Sequence, residues 1–332
     1  MTGIEKILVA SSKDTTLNLK HGQLGMPGMK YTLFLEPQFV DQRHAGWDTD
    51  VTPRKFKVAC LLVKNPTVPV AFNFDFDESM GSSYIQAPDK AAGFRMGSTE
   101  GELQGSLNSE NELSILSYET IAPIHQVARD KFLRIACSIF DHISYELNIP
   151  VHIGLLKAED VLHGIRYLEY TAPFQSMMLT NAGRSLHNEM APIYALYREF
   201  INSFSDYYKL LCLYKILEGV FRELRPAIRK EAERHGVKLA KRNEKVPHLG
   251  GLDAPLRLYV SKSITAFFNN FLTDAYRDAV AHFTLRESGT LNISNPDTAR
   301  RFALALPLTE LCVRIVVTNH EADIAQVQSA GR

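Results

Sequence analysis

Ile264-Thr-Ala-Phe-Phe-Asn-Asn-Phe-Leu-Thr-Asp-Ala-Tyr-Arg-Asp-Ala-Val-Ala-His282 is the stretch on which the reading of this chain turns. Ile264, Phe267, Phe268, Phe271, Leu272, Ala275 and Ala279 recur at steps of three and four residues, which places them on one stripe of an α-helix. The helix closes on Arg277-Asp278-Ala-Val-Ala-His282, where an always-charged side chain and a titratable one stand at its end. The same spacing recurs on both sides. A helix is expected from Ile193 to Phe204, following Pro192. A second carries Leu210, Leu213, Tyr214, Leu217, Phe221 and Leu224, and Pro226 is expected to kink or break it. Ala227 to His235 continues helically, with Gly236 as its C-cap. Residues 237–256, with two prolines and two glycines, read as a polar loop. A last helix spans Thr298 to Val317, interrupted or entered at Pro307, before a frayed tail. These segments define an all-α four-helix domain over residues 185–325.

Upstream the period changes. Tyr31–Leu35, Phe56–Val63 and Val68–Phe76 read as strands, the last from the alternation of Val70, Phe72, Phe74 and Phe76. Ile124, Ala128, Phe132, Ile135, Ala136, Ile139, Ile143 and Leu147 mark one helix, stopped before Pro150. Val151–Leu155 and Ile165–Tyr170 return to strand. The expected fold class is α+β: a mixed strand and helix domain over residues 1–180, binding or sensing a ligand or protein that its sequence does not name, followed by the helical domain.

Composition narrows the function classes. The 332 residues carry 37 basic and 37 acidic side chains, a formal net charge of zero, so a globally basic nucleic-acid binder is not indicated. Cys60, Cys137, Cys212 and Cys312 are scattered, with no CxxC pair and no histidine at ligand spacing, so no metal site and no cofactor are expected. No basic stretch followed by an apolar run opens the chain, and no apolar run approaches the roughly 20 residues that span a bilayer. The expectation is a cytoplasmic protein with no membrane contact. Glycine-rich phosphate loops and the GxSxG elbow are absent from the sequence.

The motif at 277–282 suits phosphodiester chemistry. A guanidinium forks onto phosphate oxygens and stabilises developing charge. Histidine accepts or donates a proton near neutrality. In RNA the neighbouring 2′-hydroxyl supplies the nucleophile, so no metal is needed. Asp278 stands four residues before His282 and could fix its tautomer. The bland alternative stays open beside this one: His282 satisfied by Asp278 at the edge of the apolar stripe, with Arg277 solvated. On a straight α-helix Arg277 and His282 diverge by about 140°. Between 222 and 245, nine basic residues face four acidic ones. Arg229, Lys230, Lys241 and Arg242 are its candidate RNA contacts, although such a run is more often a solvated face.

Tyr214-Lys-Ile-Leu-Glu218 on the second helix, followed by Arg277-Asp-Ala-Val-Ala-His282 on the third, resembles the Apea-like branch of the HEPN superfamily. There is a looser resemblance to methylamine-utilisation (MauJ-like) proteins. Both cover about residues 190–320. The HEPN resemblance implies a metal-independent endoribonuclease, toxin-like or defence-related. In it Arg277 and His282 would be catalytic, Asp278 supportive and Glu218 a neighbour from the second helix. It also implies a homodimer with RNA as substrate. The family usually has Asn where this chain has Asp278, and a negative charge there opposes phosphate. The MauJ-like resemblance implies instead a non-catalytic dimerisation or binding module, accessory to a metabolic pathway.

Overall fold

The structure is a computed structural model that describes residues 16–18, 28–35, 46–47, 49–65, 71–73, 76–87, 94–98, 101–172, 174, 187–277, 284–285, 289–290 and 292–330. It falls into two compact units. One is drawn from Ile4–Ser176 with Ser294–Asp297, the other from Met177–Ile293 and Thr298–Arg332. The α+β class stands: an antiparallel sheet unit precedes a helical one.

The sheet unit is organised by β3 (Arg54–Val63), whose side chains alternate between two faces. Phe56, Val58, Cys60 and Leu62 are fully buried against α1 (His125–Leu147), where they meet Ala128, Phe132, Ile135 and Ala136. β3 pairs on one side with β7 (Leu113–Ala122) and on the other with β8 (His152–Asp160). The full sheet adds β2 (Lys30–Leu35), β5 (Phe94–Ser98), β6 (Gly101–Leu107) and β9 (Ile165–Thr171). Its seven strands run in the order β2-β9-β8-β3-β7-β6-β5, every described pairing antiparallel. Two short strands, β1 (Thr16–Asn18) and β4 (Ala71–Asn73), pair with each other.

Two departures from the sequence reading stand out in this unit. Of the strand expected over Val68–Phe76, only Ala71–Asn73 is a described strand. Residues 66–70 and 74–75 lie outside the described residues, and Phe76 is buried in a second apolar cluster with Leu33, Leu61, Leu155 and Leu168. Conversely β5, β6 and β7 were not singled out. β6 and the polar half of β7 hold Gly, Ser, Gln and Glu at outward positions, which dilutes the hydrophobic alternation. Gly101 opens β6 at φ +152°, a conformation strained for other residues, and a Cβ there would lie 2.8 Å from Ile135 Cδ1, so a larger residue would also have to displace that side chain of α1.

A buried polar clamp ties three parts of the unit together. Arg54 Nε donates to Asp160 Oδ2 at 2.6 Å, and its Nη1 donates to the carbonyls of Asp50, Thr52 and Pro123 at 3.0, 3.1 and 2.8 Å. Asp160 is wholly buried. Its other oxygen accepts the amides of Leu162 and His163, and His163 Nδ1 lies 2.8 Å from Oδ2. α1 is fastened separately. Arg129 forks onto Glu169 of β9 at 2.6 and 3.0 Å, and the His125 ring stacks on Tyr167 at 3.6 Å.

In the helical unit α2 (Ala191–Asn202) and α3 (Asp206–Gly219) pack together. Ser205 caps α3 by accepting the Tyr208 amide. Pro226 does not break the chain's course. A π-helical turn over Val220–Leu224 precedes α4 (Arg225–Arg234), with the Arg225 amide reaching back to the Val220 carbonyl. The wider turn makes room for the proline, whose ring crowds the preceding turn of an α-helix and whose missing N–H removes one of its hydrogen bonds. Gly236, at φ +64°, ends α4 in the left-handed conformation expected of it. The loop from 237 holds one short helix, α5 (Ala254–Arg257). The expected third helix is α6 (Ile264–Phe267) continuing as a π-helical stretch over Phe268–Arg277. Two strands of two residues each, Thr284–Leu285 and Gly289–Thr290, pair beyond it.

The last helix corrects two expectations. α7 (Pro296–Ala330) is continuous for 35 residues, with Pro307 inside it and no frayed tail. Ile324 and Val327 are buried, and Asp323 and Gln326 bond to Arg242 and to the Lys238 carbonyl, so the last turns are held by tertiary contacts. By length and composition α7 could also cross a bilayer, which the sequence reading did not expect of any segment. Half of its most apolar window is buried inside the unit, as in the core helix of a globular bundle.

Two consequences are measurable. Asp160→Ala strands Arg54 among buried groups and is expected to cost the sheet unit about 3–5 kcal/mol in urea denaturation; a loss under 1 kcal/mol contradicts the clamp. Burial, with Arg129 nearby, pushes the His125 pKa down to about 3. The folded state keeps the ring neutral while the unfolded chain protonates it, so this contribution is intact above the ordinary histidine pKa and is lost as pH falls from there toward 3. Stability should drop by up to about 1.4 kcal/mol per pH unit in that window, and His125→Phe should flatten the slope.

Candidate functional site

The sequence directs attention to the end of the π-helical stretch. Its side of the unit is built on aromatics. Phe268 stacks on Tyr214 at 5.2 Å between ring centroids and meets Phe221 at 5.5 Å, so the two π-helical segments touch each other through Phe221 and Phe268. Thr273 Oγ donates to the Phe268 carbonyl at 2.9 Å, inside the widened turn. Tyr276 is the last anchored side chain before the motif. Its hydroxyl donates to the Arg301 carbonyl at 3.1 Å, its ring packs edge-on against Phe302, and burial pushes its pKa up to about 12. Arg277 closes the π stretch by its backbone. Asp278 and His282 lie outside the described residues, as does the Arg277 side chain. The described π-helical stretch ends at Arg277, and residues 278–282, over which the angle of about 140° on an α wheel would be drawn, lie outside the described residues.

Glu218 sits on α3, where it accepts from Lys215 Nζ at 2.8 Å and lies 3.3 Å from Arg222 Nη1. These are same-helix pairs at i,i+3 and i,i+4, the ordinary way a surface carboxylate is held. Tyr214, from the same motif, is buried in the core with no hydrogen-bond partner for its hydroxyl.

The basic segment divides into committed and uncommitted side chains. From 241 the chain is extended and alternates. Glu244 and Val246 turn inward, and Arg242 stays exposed while it reaches α7. Arg242 donates to Asp323 of α7 at 2.9 and 3.2 Å, Glu244 is buried, and Val246 is in the core. Lys241, Asn243 and Lys245 stay exposed. Arg229 and Lys230 are exposed on α4 and carry no partner among the described residues. All four candidate RNA contacts are therefore exposed, and one of them, Arg242, is committed to Asp323 and holds the segment on α7.

Sequence reasoning passed over the cluster that this pinning creates. Arg225 Nη1 donates to Glu244 Oε2 at 2.8 Å and its Nη2 to Oε1, while Asn319 Nδ2 donates to Glu244 Oε1 at 2.9 Å. His320 is buried beside it, its pKa lowered by burial and by the Arg225 charge, and its Nδ1 has no partner. Arg225, Glu244 and Asn319 come from three separate elements, and nothing in their spacing marks them. Among the described residues no group of three or more His, Cys, Asp and Glu side chains is placed to hold a metal ion.

A second place of interest lies in the sheet unit, on the face of β3 turned away from α1. A cleft of about 470 Å³ opens there over Ala59 and Ser117, lined further by Lys57, Gln104, Lys157 and Glu159.

Comparison with known families bears on the helical unit alone. Residues 193–318 match the family described as methylamine utilization protein MauJ. This region of the chain is MauJ-like, and it holds both π-helical segments, the Arg225 and Glu244 side chains and residues 277–282. No curated protein and no solved structure matches the chain.

The cluster predicts a non-additive mutant cycle. Glu244→Leu alone leaves the Arg225 charge buried and is expected to cost about 3–5 kcal/mol, whereas Arg225→Met with Glu244→Leu should recover most of that loss. Additive losses in chemical denaturation would show that the two side chains do not act as a pair.

Proposed function

We propose that this chain is an accessory binding protein and not a catalyst, with the helical unit acting as a self-association and docking module. The match of residues 193–318 to the MauJ family carries the reading. By that family's description, the pathway it serves would be methylamine utilisation. The commitment of Glu218, Arg225, Arg242 and Glu244 to intramolecular pairs supports it, because paired groups hold a scaffold and have little capacity left for chemistry.

A second reading is favoured by one specific feature. Arg277 closes a ten-residue π-helical stretch, a rare geometry that recurs at functional sites. In this reading Arg277 stabilises charge on a phosphate and His282 moves the proton of the RNA 2′-hydroxyl. Asp278 orients the imidazole, and Arg229, Lys230 and Lys241 steer the strand. A two-fold pair of helical units would let one chain's His282 meet its partner's Arg277.

Purified full-length protein incubated with total RNA in EDTA separates the two readings. The accessory reading expects intact RNA. Fragments ending in 2′,3′-cyclic phosphate, abolished by His282→Ala and slowed on the order of 100-fold by Arg277→Ala, would overturn it in favour of the nuclease. Both readings expect a dimer mass in sedimentation at micromolar concentration, and a monomer removes self-association from either.

A further inference from the structure

The open face of the sheet is arranged in rows by the strand register. One row runs Arg166, Glu159, Lys57, Glu119 across β9, β8, β3 and β7. The next runs Leu168, Lys157, Ala59, Ser117, Gln104, Arg95 as far as β5. A third, Tyr170, Leu155, Leu61, Ile115, belongs to the second apolar cluster. The cleft sits over the middle row, where the small side chains of Ala59 and Ser117 leave a floor between Lys157 and Gln104.

Three charged groups of the lining are held in two ion pairs. Glu119 pairs with Lys55 at 2.6 Å, and at the far wall Arg95 pairs with Glu102 at 3.2 Å. Three lining groups are left over. The Ser117 hydroxyl, the Gln104 amide and the Glu159 carboxylate have no hydrogen-bond partner among the described residues, although Ser117 and Glu159 are partly buried. Lys157 adds an ammonium that rests 4.9 Å from the centre of the Phe76 ring. The donors Lys157, Ser117 and Gln104 share the middle row, while the open acceptor, Glu159, stands one row away. Side chains two residues apart on a strand are separated by about 7 Å. A molecule with a carboxylate over the middle row and an ammonium toward Glu159 spans that distance once its hydrogen bonds are counted.

We propose that this cleft binds a small zwitterion carrying both an ammonium and a carboxylate, a ligand of the amino-acid class. The volume leaves room for a side chain beyond the two charged groups and falls within the range of small-molecule sites. The inference goes beyond the reading of the helical unit and does not rest on it.

The test uses the full-length protein and the standard amino acids one at a time, followed by ligand-observed NMR and thermal shift. Each amino acid that binds is compared with the amine lacking its carboxylate and the acid lacking its ammonium. Saturable binding is expected for at least one amino acid, with both analogues weaker by about tenfold or more, one hydrogen-bonded charge each. Ser117→Leu fills the floor and should abolish binding, and Glu159→Gln should weaken it about tenfold. Gln104→Ala, at an exposed position, gives the same readout if Ser117→Leu fails to fold. Three results would overturn the proposal: no amino acid binds, an analogue binds as well as its parent, or binding survives the variants in folded protein. None of these bears on RNA cleavage or on self-association, so the two readings fail separately.

Discussion

β3 has to bury one face under α1, and much of the sheet unit answers to that constraint. Side chains on a strand alternate, so a helix laid on Phe56, Val58, Cys60 and Leu62 commits Lys57, Ala59 and Leu61 to the other side. Registry with β7 and β8 then carries the same division across their rows. The clamp at Arg54 and Asp160 fixes the register where β3 begins. A wholly buried carboxylate has to be matched by a buried cation and amides, and those come from the start of β3 and the β8–β9 turn, while the Pro123 carbonyl on the approach to α1 accepts from the same Arg54. The cleft at Ala59 and Ser117 is therefore a product of pairing register.

The helical unit solves a different problem. Pro226 and Pro307 fall where helical structure runs on both sides of them, and an aromatic-rich seam surrounds Phe268. Pro226 is accommodated by a π turn just before it, and the second π stretch places Phe268 against Tyr214 and Phe221. The result brings the second and third helical segments of the sequence together at their widened turns. The Arg225–Glu244 pair then holds the extended segment after α4 against α7. That segment turns one set of side chains to α7 and leaves lysines outside, so a run of basic residues that looks uniform in sequence has two roles.

Much of this was legible from the sequence, for identifiable reasons. α1 came through because its stripe of Ala128, Phe132, Ile135 and Ile139 is long and strictly periodic. Gly236 came through because a left-handed residue after a helix favours glycine. β5 to β7 did not, because strands with one solvated face and polar outward residues give a short, weak alternation. The tail after Val317 reads as frayed because the contacts that hold it, from Arg242 and Lys238, lie some 80 residues away and leave no local mark.

By itself the sequence determined the α+β class, the change from period two to helical period and the position of the 277–282 motif, because periodicity and caps are local properties of the chain. Tertiary structure decided which basic residues are spoken for, that Glu218 is held by Lys215 and Arg222, and that Glu244 is buried against Arg225. It also decided that Ala59, Ser117, Gln104, Lys157 and Glu159 share one cleft. These are facts of register and long-range packing, and a spacing rule cannot carry them because the partners are brought together only when the strands pair and the helices close on one another.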